Sequence, residues 1–207
     1  MKKTVSIALI AISICLTSCT SDDAKFKITK DAIGLLTKEV KVTDLETIYA
    51  QDSIVTDTGI PKINGSINDD PEVKIDSIGA KKSIINPNFS YRKVEIYEKG
   101  GQPLLSLTPT NDVIATIENI RFLDPRFTTE KGISTQSTFK DIKEKYEIKK
   151  IITSMNNIVI LIKDNGLYFT IDKKELPESL RYNSSLNIEE VQIPDDAKIK
   201  YMMMAWE

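Results

Sequence analysis

The chain has 207 residues, with 28 lysines and arginines against 30 aspartates and glutamates, for a formal net charge of −2. It contains no histidine and two cysteines, Cys15 and Cys19, which excludes histidine general acid–base chemistry, Ser-His-Asp triads and ordinary zinc sites. Balanced charge of mixed sign gives no basic face for nucleic acid.

Met1-Lys2-Lys3 supplies a positive start, and Val5 to Leu16 is an apolar run too short to span a bilayer as a helix. Residues 1–18 therefore read as an export signal that is removed. Its end, Leu16-Thr17-Ser18-Cys19, resembles the lipobox of bacterial lipoproteins. The resemblance implies cleavage just before Cys19 and a diacylglycerol thioether on its sulfur, with two or three acyl chains such as palmitate in all. Each buried methylene contributes about 0.8 kcal/mol, so such an anchor is effectively permanent. Thr20-Ser21-Asp22-Asp23 resembles the acidic surface-export tag of Bacteroidetes lipoproteins, which makes Ser21, Asp22 and Asp23 candidate export residues. On composition alone, 19–25 is a lipidated cysteine followed by a polar tether. Loss of Lys2 and Lys3 with the signal leaves 26 basic residues against 30 acidic ones, a balance of −4. Cys15 leaves as well and Cys19 is acylated, so no thiol remains for nucleophilic chemistry or a disulfide.

After the tether, Lys25 to Thr29 alternates as a short strand. Val42, Leu45 and Tyr49 fall at i, i+3, i+7, the apolar face of a short helix over 42–51, with Thr43 and Glu46 as its capping box. Between Asp52 and Asn88 the turn signals Gly59-Ile60-Pro61, Asn64-Gly65 and Asp69-Asp70-Pro71 leave room for short strands. Tyr91–Glu98, Pro103–Thr108 and Val113–Leu123 then form an antiparallel meander, the first pair joined at Lys99-Gly100-Gly101-Gln102.

Beyond Asp124-Pro125 the plan starts again. Arg126 to Thr129 is a short strand, and Phe139, Ile142 and Tyr146 repeat the i, i+3, i+7 face behind a cap of Thr138 and Asp141. Strands follow at Ile148–Thr153, Ile158–Lys163 and Leu167–Ile171, the last two joined by Asp164-Asn165-Gly166 as a type I′ hairpin. Leu176-Pro177 opens an irregular passage. Lys198 to Trp206 is a final strand, either closing the core or presenting Met202, Met203 and Met204 as an adaptable surface.

Aligning Asp44 with Asp141 places Val42 on Phe139, Leu45 on Ile142 and Tyr49 on Tyr146. Lys25-Phe26 then matches Arg126-Phe127, and Ile33-Gly34 matches Gly132-Ile133 when small gaps are allowed. The expected fold is α+β: two related modules, 26–124 and 125–207, each a short helix packed on an antiparallel β-sheet. The order of strand, polar loop, short helix ending in Tyr and strands over 126–172 resembles the β-lactamase-inhibitor-protein-like fold. That resemblance implies a concave sheet with helices behind it and a binder or scaffold, and it carries over no functional residue.

Few residues point to chemistry. Asp57-Thr58-Gly59 has the letters of an aspartic-protease motif, but Ile60-Pro61 follows it and no partner segment is evident, so a surface turn is the better reading. Asp69-Asp70 and Asp195-Asp196 lack the alternating oxygen ligands of a calcium loop and read as solvated turns. Asp52-Ser53-Ile54 and Asp76-Ser77-Ile78 resemble the Bacteroidetes O-glycosylation acceptor, which makes Ser53 and Ser77 candidate sites. No catalytic residue, metal ligand or cofactor is expected. The expected role is that of a lipid-anchored envelope protein, attached to the outer membrane and facing the cell surface or the periplasm, that binds a protein or glycan without catalysis. An inhibitor or assembly factor for an envelope enzyme or machine is the second reading, and a hydrolase using only carboxylates, such as Asp57, the third.

Overall fold

A computed structural model describes residues 24–57, 60–61, 85–86, 88–163, 165–182 and 187–206. Cys19, Ser21, Asp22, Asp23, Ser77 and the Asp69-Asp70 turn lie outside these residues. In chain order the strands of the first half are β1 (Lys27–Ile28), β2 (Ala32–Ile33), β3 (Leu36–Thr37), β4 (Ser53–Thr56), β5 (Ile60–Pro61), β6 (Phe89–Ser90), β7 (Val94–Tyr97), β8 (Pro103–Pro109) and β9 (Ile117–Phe122). Those of the second are β10 (Thr128–Thr129), β11 (Ile148–Thr153), β12 (Asn157–Ile162), β13 (Leu167–Asp172) and β14 (Ile199–Ala205). Among the described residues the short α-helices α1 (Leu45–Ile48), α2 (Phe139–Lys145) and α3 (Glu178–Arg181) complete the α+β fold.

The two related units each carry a helix followed by four antiparallel strands, β4-β7-β8-β9 in one and β11-β12-β13-β14 in the other. They do not keep separate sheets. β14 pairs antiparallel with β9, giving one eight-stranded sheet in the order β11-β12-β13-β14-β9-β8-β7-β4. The physical reason is edge burial, because the last strand of each unit would otherwise present an open ladder. A second sheet, β10-β1-β2-β3, joins the units again: β1 lies parallel to β10, with Lys27 opposite Thr128.

The repeat is visible in individual hydrogen bonds. Val42 donates its N–H to the Ala115 carbonyl at 2.9 Å, and its counterpart Phe139 donates to Ala197 at 2.9 Å. Lys41 bridges to Thr116 as Thr138 bridges to Lys198. Tyr49 closes α1 on the Leu45 carbonyl and Tyr146 closes α2 on Ile142, both at 2.8 Å. Carried forward without a gap, the same alignment lays Ile54-Val55-Thr56 on Ile151-Ile152-Thr153, the two outer strands of the sheet.

Some local expectations are revised. At α2 the capping box forms as expected: Thr138 accepts from the Asp141 N–H, and the Asp141 carboxylate accepts from the Thr138 N–H at 2.7 Å. At α1 it does not. The expected helix over 42–51 is a 3-10 turn at Val42–Asp44 followed by the α-helical turn Leu45–Ile48, Asp44 makes no side-chain cap, and Glu46 instead accepts the Ile85 N–H at 2.6 Å. β9 begins at Ile117, leaving Val113 and Ile114 exposed in the loop before it. Gly166 follows the β12–β13 turn with φ 68°; the type I′ assignment involves Asp164, which is outside the described residues.

The strand pairing aligns residues in rows across the sheet. Ile54, Ile96, Leu105, Phe122, Met202, Phe169, Ile160 and Ile151 make one continuous apolar row over all eight strands. The first seven are buried, and they share one core cluster with Val42, Leu45 and Tyr49 of the α1 region and Phe139 and Ile142 of α2. Met202 and Met204 of β14 are buried and serve the core, while Met203 alternates to the opposite face, so β14 closes the core and the run is not a Met-rich surface.

At the junction of the two units, Asp124 is 2% exposed and carries a charge. Arg126 grips it with Nε to Oδ1 at 3.0 Å and Nη2 to Oδ2 at 2.8 Å, and the same Nη2 reaches Glu98 at 2.7 Å. Lys25 links Glu98 to Asp52, and the guanidinium of Arg126 lies 4.2 Å from the Phe26 ring centre. Burial works to raise Asp124, but the side-chain and backbone hydrogen bonds from Arg126 outweigh it and hold the carboxyl below its usual range. Glu98 is lowered chiefly by its hydrogen bond from Arg126.

Arg126 is partly exposed and keeps Glu98, so Asp124→Ala removes mainly the charge-assisted hydrogen bonds to a buried carboxylate and should destabilise the fold by about 2 kcal/mol in urea unfolding. Both carboxyls are lower in the folded state, so their contribution is complete above about pH 5 and is lost as the pH falls through the carboxylate range. The wild-type urea midpoint should therefore drop between about pH 5 and pH 3, more steeply than that of Asp124→Asn. Parallel pH profiles would contradict the assignment.

Candidate functional site

Since strand side chains alternate, the residues between the buried rows form the opposite face of the large sheet. Its main row runs Val55, Glu95, Ser106, Arg121, Met203, Tyr168, Leu161 and Lys150, again across all eight strands. A second row, Tyr201, Thr170, Val159 and Ile152, lies beside it over β14 to β11. Val55, Ile152 and Tyr201 are 50%, 41% and 37% exposed, in contrast with the closed apolar row on the other face.

The polar groups of this face hold one another. The Tyr97 hydroxyl donates to Glu95 at 3.0 Å, and the Lys93 ammonium lies 3.1 Å from the same carboxylate. Burial works against the Glu95 charge; the hydrogen bonds from Lys93 and Tyr97, with the field of Lys93 and Arg121, outweigh it and lower the carboxyl. Arg121 stacks its guanidinium 5.1 Å from the Tyr201 ring centre, and Lys200 approaches that ring at 5.5 Å. The Arg121 Nε is buried and has no hydrogen-bond partner among the described residues. Asn119 donates to the Tyr168 hydroxyl at 2.6 Å, while burial raises the Tyr168 phenol more than that bond lowers it.

At the β12–β13 end the face runs into a cleft of about 590 Å³. Lys30, Lys38 and Lys149 line it together with Asn119, Val159, Leu161 and Tyr168. Gly166 allows the hairpin to lie against β14 there: a Cβ at Gly166 would stand 2.2 Å from the Ala205 carbonyl oxygen.

The residues singled out in the sequence are dispersed. Asp57 accepts from the N–H groups of Arg92 and Lys93 at 3.1 and 3.3 Å, so its carboxylate pins a loop. Asp195 pairs with Lys143 and accepts from the Lys140 N–H, which makes the Asp195-Asp196 turn a brace for α2. Ser53 is exposed at the start of edge strand β4. Among the described residues no group of three acidic or thiol ligands is placed to hold a metal, and no helix is long and apolar enough to cross a membrane. Glu95 and Asp172, the acids of the open face, stand on strands four spacings apart, roughly 19 Å. The face itself was signalled only by alternation: Glu95 and Arg121 are the polar phase of otherwise apolar strands. Which strands lie side by side, and hence which of these residues meet, is not contained in that pattern.

No family model matches the chain, and no curated protein matches it. One solved structure, titled the uncharacterized protein yfeY from Escherichia coli, is similar in fold, with a TM-score of 0.50 at 13% identity. The similarity covers 86% of this chain and 99% of that one.

Gly166→Ala should open the hairpin end of the cleft, because it combines a strained positive φ with a backbone clash. A loss of about 2 kcal/mol or more in thermal unfolding is expected, and a wild-type Tm would show that the hairpin is not held there.

Proposed function

We propose that this is a lipid-anchored envelope protein whose open sheet face binds another protein, without catalysis of its own. The observation that carries the reading is the asymmetry of the eight-stranded sheet. One face is sealed by an apolar core, and the other offers tyrosine, arginine, methionine and aliphatic side chains in continuous rows. Tyrosine, arginine and methionine are the residues enriched in protein interfaces. Seven strand spacings by about 20 Å of strand give about 700 Å², close to the roughly 800 Å² that each partner contributes to a stable complex.

A protein suits the face better than a glycan, since the Tyr201 ring is already approached by the cations of Arg121 and Lys200. A carboxylate-only hydrolase is disfavoured: Glu95 and Asp172 are too far apart for the separations of about 5 to 9.5 Å that glycoside hydrolysis requires. Each is also engaged, by Lys93 at 3.1 Å and by Lys200 at 2.9 Å. Inhibition of an envelope enzyme, or help in assembling an envelope machine, is work that such a face can do.

The anchor reading rests on Leu16-Thr17-Ser18-Cys19. Cys19→Ala should abolish acylation and processing before residue 19, detected by mass spectrometry of the protein from producing cells. An unchanged acylated mass would end it. The binding reading is tested by crosslinking on intact cells, purification through a C-terminal tag and mass spectrometry. Wild type should capture one near-stoichiometric envelope protein. Arg121→Ala with Met203→Ala, checked for folding by circular dichroism, should reduce that capture at least about tenfold, as loss of central interface residues does. Equal capture would move the interface elsewhere.

A further inference from the structure

We propose that the partner of the open face is a second copy of this chain, laid face to face with the first about a two-fold axis that runs along β14. The step rests on the binding reading above and names the occupant of that face. Two copies of one sheet can meet about an axis along the strands or about one across them. An axis across the strands sets each strand on its own copy, so that Glu95 would face the second copy's Glu95. An axis along β14 instead sets β9 over β13 of the second copy, β8 over β12, and β7 over β11.

Under that operation the main row of the open face is complementary to itself. Met203 lies at the axis and meets the second copy's Met203, a soft apolar contact at the centre. Arg121 on β9 comes over the second copy's Tyr168 on β13, a cation over an aromatic ring. Glu95 on β7 comes over the second copy's Lys150 on β11, an acid over a base. Lys150 is exposed and has no ion pair among the described residues. Glu95 is held by Tyr97 and Lys93, and a carboxylate with about four acceptor positions has room for a further cation. The last two contacts each occur twice, as a two-fold interface requires.

Size and anchorage agree with the same axis. The seven strands from β11 through β14 to β7 span six strand spacings. With about 20 Å of strand they give about 580 Å² on each copy and about 1,160 Å² in all, above the roughly 1,000 Å² of a specific interface. Lys25 is tied to Asp52, just before β4, and to Glu98, just after β7, at one end of the sheet. Rotation about an axis along the strands leaves that end of both copies on the same side. On the lipid-anchor reading, both chains then lead back to Cys19 at one membrane surface, whereas an axis across the strands would send them to opposite ends. Two copies confined to one surface also meet at a raised effective concentration.

The test co-expresses full-length copies carrying two different C-terminal tags, extracts them from producing cells in mild detergent, and measures how much of one tag is captured with the other. Wild-type copies should capture each other. Glu95→Lys in both copies sets like charges together at two places and should lower capture at least about tenfold, as should Lys150→Glu in both. A Glu95→Lys copy paired with a Lys150→Glu copy restores an acid over a base at both places, so capture should return to the wild-type level. Circular dichroism checks the fold of each variant. Lys150→Glu changes an exposed side chain and carries the test by itself if Glu95→Lys unfolds. Absence of capture between wild-type copies overturns the proposal, as do folded charge variants that pair like wild type, or a mixed pair that stays as weak as either variant alone. Capture of a different envelope protein through Arg121 and Met203, with no pairing of copies, would leave the binding reading standing and overturn only the partner named here. The charge exchange reads the axis whether or not Cys19 is acylated.

Discussion

The pairing of β14 with β9 is the constraint on which the rest of this structure depends. β14 is the last strand in sequence and lies in the middle of the sheet, with β13 on one side and β9 on the other. Met202 and Met204 complete two buried rows only from that place, opposite Phe122 and Ile120. Without it each unit would be a four-stranded sheet with an open edge and a core open at one side. The pairing is far from local, so its loop entropy must be offset by what it closes: both edges and the midline of the apolar rows.

The Asp124–Arg126 pair plays a different part at the same junction. It follows the end of β9 and precedes β10, where the chain leaves one unit for the other. A buried carboxylate is costly unless its hydrogen bonds are complete, and Arg126 supplies Nε and Nη2 as well as its own backbone N–H at 2.8 Å. The Phe26 ring, 4.2 Å from the Arg126 guanidinium, meets Phe127 edge to face at 5.1 Å. Arg126 also reaches Glu98 at the β7–β8 turn, so one side chain ties that turn, the segment before β1 and the junction together.

Much of the scaffold is legible in the residues because its signals are local. The Phe139, Ile142 and Tyr146 spacing with its Thr138–Asp141 cap yields α2, and the β-branched run Ile148–Thr153 is a strand over those residues. Alignment of Val42 with Phe139 holds to the level of single hydrogen bonds. What failed locally had a competitor: Glu46 had a distant donor in Ile85, so it did not close a cap, and Val113 and Ile114 were apolar without being core. The site is less legible than the scaffold. Arg121 meets Tyr201 and Met203 because β9 lies beside β14, and no spacing within either strand announces that. The cleft at the hairpin end is harder still, since Lys149 meets Lys30 and Lys38 there from more than a hundred residues further along the chain.

The repeat shows where the two units differ in charge. The alignment that lays Tyr49 on Tyr146 and Ile54 on Ile151 lays Asp52 on Lys149. In the first unit that position is an acid with a 7% exposed carboxylate, paired with Lys25, at the end of the sheet where Glu98 and Arg126 complete the network. In the second unit it is an exposed lysine on the wall of a cleft. Two equivalent ends of one scaffold have thus diverged in charge, one satisfied internally and the other presenting charge outward. Neither change touches the apolar rows, which need only period-two alternation to persist. A sheet built this way can alter the charge of its ends and open face while the β9–β14 seam, which depends on the opposite face, stays as it is.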